Sequence, residues 1–389
     1  LYPVAPIIGW LVNEMGWHDL TLVVLSTVLT LLLLAWLARR CHDRRWIVRN
    51  LWWWGCAALP ALLSLRYGEL FTSPRLYALA AAGVAMLWAG IITELGNAVR
   101  NVWCRRLAWG VLVGAIVLQN VAFLRHQSTL FTSLDHVYQQ VLEAARDTTN
   151  APLGFVNVPA WLAWRTKTYA MISEGVQFTP DYSTISEFVE VNVGNRASDN
   201  VMYAPVLKET EKVVRGFHGA GLEWEEMRQF AADHRTVWLA RQKNQRFELD
   251  EVGAITTRAE PAGAEPLAWF ENGTTIESAS VLKMPGGDWA IGLVWLAPGS
   301  FDGKIFVHVR DPAQNVVAQA DGPALGGMVP AWIWRSGDRI HDVRHITLPD
   351  GTGPYTVQVG LYDADGRYPA YGGENRYEDD AVTVAIIEP

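Results

Sequence analysis

Cysteine is scarce: the chain of 389 residues has three, Cys41, Cys56 and Cys104. All lie in the first third, so the remainder has no thiol for a disulfide framework or a cysteine-ligated metal. Charge is thin as well, at 19% of residues against 50% hydrophobic, and the mean hydropathy of +0.08 is high for a chain surrounded only by water. Lysine is absent from residues 1–125, which hold eleven arginines and five acids, whereas the rest holds 21 bases and 35 acids. That acidic remainder argues against nucleic acid as a partner, because neutralising phosphate needs a basic face. The motifs of coenzyme and hydrolytic chemistry are missing too. Gly219 and Gly221 lack the rest of a phosphate-loop fingerprint, and there is no CxxC, HExxH or nucleophile elbow. No cofactor is expected.

What the chain does have is apolar length. Thr21 to Ala38 is an uncharged run close to the ~20 residues a helix needs to cross hydrocarbon. Three weaker runs follow: Ile47 to Leu65, Leu76 to Leu95 and Leu107 to Leu124. Together they predict a transmembrane region over residues 1–125 with four helices. Arginines cluster at 39–49 and 100–106, so the positive-inside rule puts those loops in the cytoplasm and everything after Leu124 outside. The expected location is the cell membrane, multi-pass, with the C-terminal domains outside the cytoplasm. The chain opens on LYPVAPIIGW without a positively charged leader, so the expectation is either a processed protein or the C-terminal part of a longer membrane protein.

After the last run the period changes. Leu134, Val137, Val141, Leu142 and Ala145 recur at helical spacing; GFVNVP (Gly154 to Pro159) and Thr236 to Arg241 read as strands, and Leu222 to His234 as a helix. Residues 126–258 are therefore expected to form an α/β unit, with 165–216 too irregular to order. Beyond a linker at Ala259 to Pro266, seven short strands separated by Pro/Gly turns predict a C-terminal β-sandwich over 259–389. The fold class is thus membrane α-helical with four spans, plus an exported α/β unit and a β-sandwich.

Candidate sites are few. His341 and His345 sit four apart beside Asp338 and Asp342, but on a strand they lie about 13 Å apart, too far to share one ion; no metal is expected. Asp363 to Gly366 reads as a hairpin turn rather than a calcium loop. Exposed aromatics hold sugars, and among Trp289, Trp295, Trp332, Trp334, Tyr368 and Tyr371 the alternating Trp332 and Trp334 are the glycan-contact candidates, with packing as the competing reading. Arg66 and Arg75, with Tyr77, are candidates for gripping a lipid phosphate or anchoring at the interface.

SPRLYALAAAGVAMLWA (Ser73 to Ala89), GFVNVPAW (Gly154 to Trp161) and IFVHVRDPAQNVVAQADGP, with WRSGDRIHDVRHITLP and YTVQVGLYDADGRYP, resemble multi-spanning bacterial glycosyltransferases that use lipid-phosphate sugar donors. The resemblance implies the C-terminal half of such an enzyme, with outer domains positioning glycan or acceptor, and lipid or lipid-linked sugar as partners. No catalytic carboxylate motif is identified in this chain, so a catalytic residue is not assigned. The competing expectation is a non-catalytic subunit of a larger membrane complex, its helices packed on other subunits through Gly83, Gly90, Gly110 and Gly114.

Overall fold

A computed structural model describes residues 19–40, 44–64, 78–97, 101–147, 151–165, 175–177, 184–194, 198–207, 213–217, 219–243, 246–257, 265–284, 287–349 and 353–388. The helices are α1 (Asp19–Arg40), α2 (Arg44–Ser64), α3 (Ala78–Asn97), α4 (Val102–Asp147), α5 (Ile185–Val193) and α6 (Trp224–Asp233). The strands are β1 (Leu153–Val156), β2 (Pro159–Trp164), β3 (Val176–Gln177), β4 (Ser198–Val201), β5 (Val213–Phe217), β6 (Thr236–Lys243), β7 (Arg246–Thr256), β8 (Ala268–Phe270) and β9 (Thr275–Lys283). They continue as β10 (Trp289–Leu296), β11 (Lys304–Arg310), β12 (Val316–Gln319), β13 (Arg339–Ile346), β14 (Tyr355–Tyr362), β15 (Ala370–Gly372), β16 (Asn375–Arg376) and β17 (Val382–Ile387). Two compact units result. One comprises Leu1–Phe131, Leu162–Val176 and Thr210–Val214; the other comprises Thr132–Trp161, Gln177–Glu209 and Arg215–Pro389.

In the first unit α2 and α3 approach closely. Gly83 lies against the Asn50 carbonyl and Gly90 against the ring of Trp46, where any side chain would collide. Ile47, Leu87 and Ile91 form a small core there, with Leu33, Leu34 and Trp36 of α1 packed on it. The expectation of four spans is corrected. Among the described residues one helix, α4, is long and apolar enough to cross a membrane. The apolar stretches of α1 and α3 shrink to Thr27–Trp36 and Ala85–Glu94, about half of what a bilayer needs. α2 opens on Arg44 and Arg45, carries Arg49 one turn later, and includes Pro60. Runs that count as apolar by composition are interrupted or shortened once helix ends and charges are placed.

The second unit is built on a ten-stranded sheet in the order β16-β15-β8-β9-β10-β13-β7-β6-β1-β4. β1 pairs in parallel with both β4 and β6, and the other ladders are antiparallel. Because β7 pairs with β13, the segments before and after the 259–266 linker share one sheet and one core. A four-stranded sheet, β12-β11-β14-β17, makes the second layer of a sandwich. Alternate residues Ile291, Leu293 and Trp295 of β10 share a buried core with Ile305, Val307 and Val309 of β11 and Val357, Val359 and Leu361 of β14. Each such side chain contributes about 1.5–3 kcal/mol on burial. The strands expected between Ile276 and Ile387 coincide with β9 to β14 and β17, and the structure adds β7, β8, β15 and β16 to the ten-stranded sheet.

Local chemistry marks the helix ends. Thr184 and Glu187 form a reciprocal capping box on α5, which stops at Gly194 in the left-handed region. Glu223 and Glu226 do the same at the start of α6. The second half of α4 buries Leu134, Val137, Tyr138 and Val141. From the same stretch, Ser133 Oγ accepts the backbone N–H of Phe247 (3.1 Å) and Gln140 Oε1 that of Leu249 (2.9 Å). Those two amides belong to the part of β7 that β13 does not reach, so helix side chains satisfy an otherwise open strand edge.

Candidate functional site

The partial pairing of β7 with β13 creates the site. The ladder holds only from Arg339↔Thr256 to Asp342↔Gly253, after which β13 continues beside β10 and β7 beside β6. Gly253 makes the parting possible. Its φ of +109° and its approach to the His341 carbonyl leave no place for a Cβ. In the gap lies a cleft of about 360 Å³, lined by Gln140 of α4, strands β6, β7, β9, β10 and β13, and Asp288.

Most of its charged residues come from the β6–β7 hairpin, with His345 from β13 and Asp288 from the turn before β10. Lys243 Nζ lies 2.9 Å from Asp250 Oδ1 and 3.3 Å from Glu248 Oε2. Burial lowers the affinity of that ammonium for its proton, but the hydrogen bonds and charges of Asp250 and Glu248 outweigh it and hold the pKa above the usual lysine value. The side chain of His345 bridges the gap where ladder bonds end, with Nε2 2.8 Å from the Glu251 carbonyl oxygen. Burial pushes the Glu251 carboxyl above its ordinary range, and the neighbouring His345 partly offsets this. Asp288 Oδ1 accepts the Thr347 hydroxyl at 2.7 Å.

Two groups bordering the cleft have unmet hydrogen bonds. Trp238 Nε1, a donor, and Asp250 Oδ2, an acceptor, are both shielded from solvent and without a partner. Leaving such a group unpaired costs about 1–3 kcal/mol. A ligand able both to accept and to donate recovers that cost only where the surrounding side chains move aside, because both atoms are closed to water as they stand. Hydroxyl groups do both; an ammonium only donates, and a phosphate or carboxylate only accepts at neutral pH.

The residues singled out from sequence lie elsewhere. Arg66, Arg75 and Tyr77 fall outside the described residues. Trp332 and Trp334 do not share an exposed face: Trp332 is 49% exposed, whereas Trp334 is 2% exposed. The reason is that the segment is a 3-10 turn, Ala331–Ile333, rather than extended chain. Trp334 packs edge-on to Phe301 and donates its indole N–H to the Val329 carbonyl. Trp332 leans on Trp224 with ring centres 5.2 Å apart. Trp295 is core, Tyr371 stacks on Trp269 at 4.3 Å, and Tyr368 donates to the Asp302 carbonyl. His345 joins the cleft, and His341 contacts Thr256 instead. Among the described residues no three His, Cys, Asp or Glu side chains converge as metal ligands. Asp363 closes its hairpin by accepting the amides of Asp365 and Gly366.

The cleft residues Trp238, Lys243, Glu248, Asp250, Glu251 and Asp288 were missed. The available signal is the density of charge in Lys243 to Glu251.

Neither a protein-family model nor a curated protein sequence matches the chain. Among solved structures, a β-glucuronidase from Ruminococcus gnavus in complex with D-glucuronic acid is similar over 44% of this chain and 25% of its own length. The identity is 12% and the TM-score 0.17, so the chain spans about a quarter of that enzyme and the likeness carries no functional argument.

Proposed function

We propose that this protein is a membrane-anchored, non-cytoplasmic module that holds a glycan in the cleft between β7 and β13. The observation that carries the reading is the pairing of an unmet donor, Trp238 Nε1, with an unmet acceptor, Asp250 Oδ2, around one cleft. Polyhydroxylated ligands answer both, and indole beside carboxylates is a usual means of holding sugars. The resemblance to glycosyltransferases that use lipid-linked sugars supports the same ligand class, with the cleft positioning glycan or acceptor.

Anchoring is supported by α4. Val102, Trp103, Leu107, Val111, Val113, Val117, Leu118, Val121 and Leu124 are all exposed, a far larger apolar surface than water tolerates without a partner. Arg106 sits 5.8 Å over the Trp103 ring at one end of that stretch, the arginine and tryptophan pattern of a cytoplasmic interface. The C-terminal unit then faces outward. The rival reading, a non-catalytic subunit of a membrane complex, is favoured by Gly110 and Gly114, which stand open on the same helix and admit a neighbouring helix.

The test is saturation-transfer NMR on the full chain in lipid nanodiscs against a panel of soluble oligosaccharides. Binding that Trp238→Phe and Asp250→Asn weaken is the expected result. A panel with no binder, or binding indifferent to both variants, overturns the glycan reading.

A further inference from the structure

The first unit gathers arginines at one end. α2 and α3 run antiparallel, since Gly83 meets Asn50 and Trp54 whereas Gly90, further along α3, meets Trp46. The start of α2 therefore lies beside the end of α3. Gly96, about 9 Å beyond Gly90 along the helix axis, lies against the Trp109 ring of α4, which brings the start of α4 to the same end. Ala38 of α1 packs on the Ile47 and Ile91 core, so Arg39 arrives there too. Arg39, Arg45, Arg49 and Arg106 are exposed and Arg105 is half-buried, and among the described residues of these helix ends the acid is Glu94. Exposed Val48, Trp52, Trp53 and Trp103 border the arginines, and the exposed apolar run of α4 begins at the same place, with Val102.

On the premise that α4 anchors the chain, we propose that this end is a binding surface for acidic phospholipid headgroups, with the arginines on phosphate and the indoles at the edge of the hydrocarbon. A guanidinium meets phosphate oxygens in pairs, and tryptophan favours the depth where headgroup gives way to acyl chain. Orienting α4 needs only bases near its own end, such as Arg105 and Arg106. Here α1 and α2, from elsewhere in the sequence, bring Arg39, Arg45 and Arg49 to the same place, which multiplies the attraction to an anionic leaflet rather than the orientation signal. Nucleic acid supplies phosphate but no hydrocarbon for Val48 and the apolar face of α4, and is the poorer fit.

The experiment lets the full chain, diluted from detergent at low ionic strength, distribute between two dye-coded vesicle populations, phosphatidylcholine alone and phosphatidylcholine mixed with phosphatidylglycerol. Each arginine near an acidic leaflet is worth about fivefold in partitioning, so the acidic vesicles are expected to be favoured on the order of a hundredfold. Arg49→Gln with Arg106→Gln is expected to divide that ratio by about twenty-five. Arg246→Gln with Arg335→Gln makes the same change of charge in the second unit and is expected to leave the ratio as it was. A parent ratio near one, a ratio indifferent to Arg49 and Arg106, or an equal loss from Arg246 and Arg335 overturns the acidic-lipid surface while leaving the anchor in place. Loss of the preference to inorganic phosphate, at an ionic strength where chloride preserves it, assigns this end to a soluble anion and overturns the lipid assignment as well. If neither vesicle takes up the chain, anchor and surface fail together. Because the ratio is read within one sample, unequal yields of folded protein cannot imitate it.

Discussion

The guanidinium of Arg228 on α6 grips the carboxylate of Asp338 across 110 residues of sequence, with Nη2 2.6 Å from Oδ1 and Nε 3.1 Å from Oδ2. Both side chains are almost fully buried, and Asp338 Oδ2 also accepts the Arg335 amide. Removing one member strands the other charge, so Arg228→Met is expected to cost about 3–5 kcal/mol. Arg228→Met with Asp338→Asn removes both charges and retains an acceptor for Arg335, and recovers most of the loss. Urea denaturation of the purified chain, followed by near-ultraviolet circular dichroism, checks this; a single variant no less stable than the double contradicts it.

Asn157 ends β1 in the left-handed region, with φ 59°. Its side chain accepts the Tyr203 N–H at 2.8 Å and donates to the Tyr203 carbonyl at 3.1 Å, and it is buried. It thus continues the pairing of the parallel strands β1 and β4 by one side-chain step. Asn157→Ala is expected to cost about 2–4 kcal/mol, from two buried backbone groups left unpaired and a strained φ. Asn157→Gly relieves the strain alone and falls between, as differential scanning calorimetry of the three proteins reads out.

How far sequence reaches is visible in these two cases. Period two along Tyr355 to Tyr362 and period 3.6 along Leu134 to Ala145 predict β14 and the second half of α4, because each element buries one face locally. The strand read at Gly154 to Pro159 is legible only as far as Val156, since the chain leaves β1 at Asn157 and Pro159 opens β2 rather than stopping a strand. The cleft was not, since it arises from where β7 and β13 stop pairing, residues 253 and 342, which no local pattern records. The apolar runs misled for a related reason: hydropathy counts residues but not the helix ends and arginines that shorten α1 to α3.

Gly253 and Gly287 separate strain from collision. Both have φ near +100°, but a Cβ at Gly253 overlaps the His341 carbonyl, whereas Gly287 has open space. Gly287→Ala is expected to cost about 1 kcal/mol from backbone strain alone. Gly253→Ala adds displacement of β13 and exceeds it several-fold, with loss of glycan binding as the cleft deforms. Thermal midpoints and glycan binding in nanodiscs test the contrast, and equal midpoints contradict it.

The exposed face of α4 is expected to carry the chain into lipid. Full-length protein mixed with phosphatidylcholine vesicles should float with them on a density gradient. Charging the face by Leu107→Lys, Val111→Lys and Leu118→Lys costs about 2.5–3.5 kcal/mol per residue at the helix centre and should leave the protein at the bottom. Flotation of the triple variant equal to that of the parent removes α4 from the role of anchor.

Glu251 makes the fold sensitive to pH in a definite direction. Its folded carboxyl lies above the ordinary value, because burial disfavours the charged form more than His345 relieves it. A group that holds its proton more tightly when folded adds stability that is fully present below the unfolded pKa and is lost as pH rises through the folded one. Wild type should therefore lose stability relative to Glu251→Gln from just above pH ~4.3, the ordinary glutamate value, until the folded carboxyl is ionised, and the two curves should then run parallel. Urea midpoints for both proteins across the acid-to-neutral range measure the difference. A gap that narrows with rising pH reverses the sign and means that neighbouring charge, His345 first, outweighs burial at Glu251 in the folded chain.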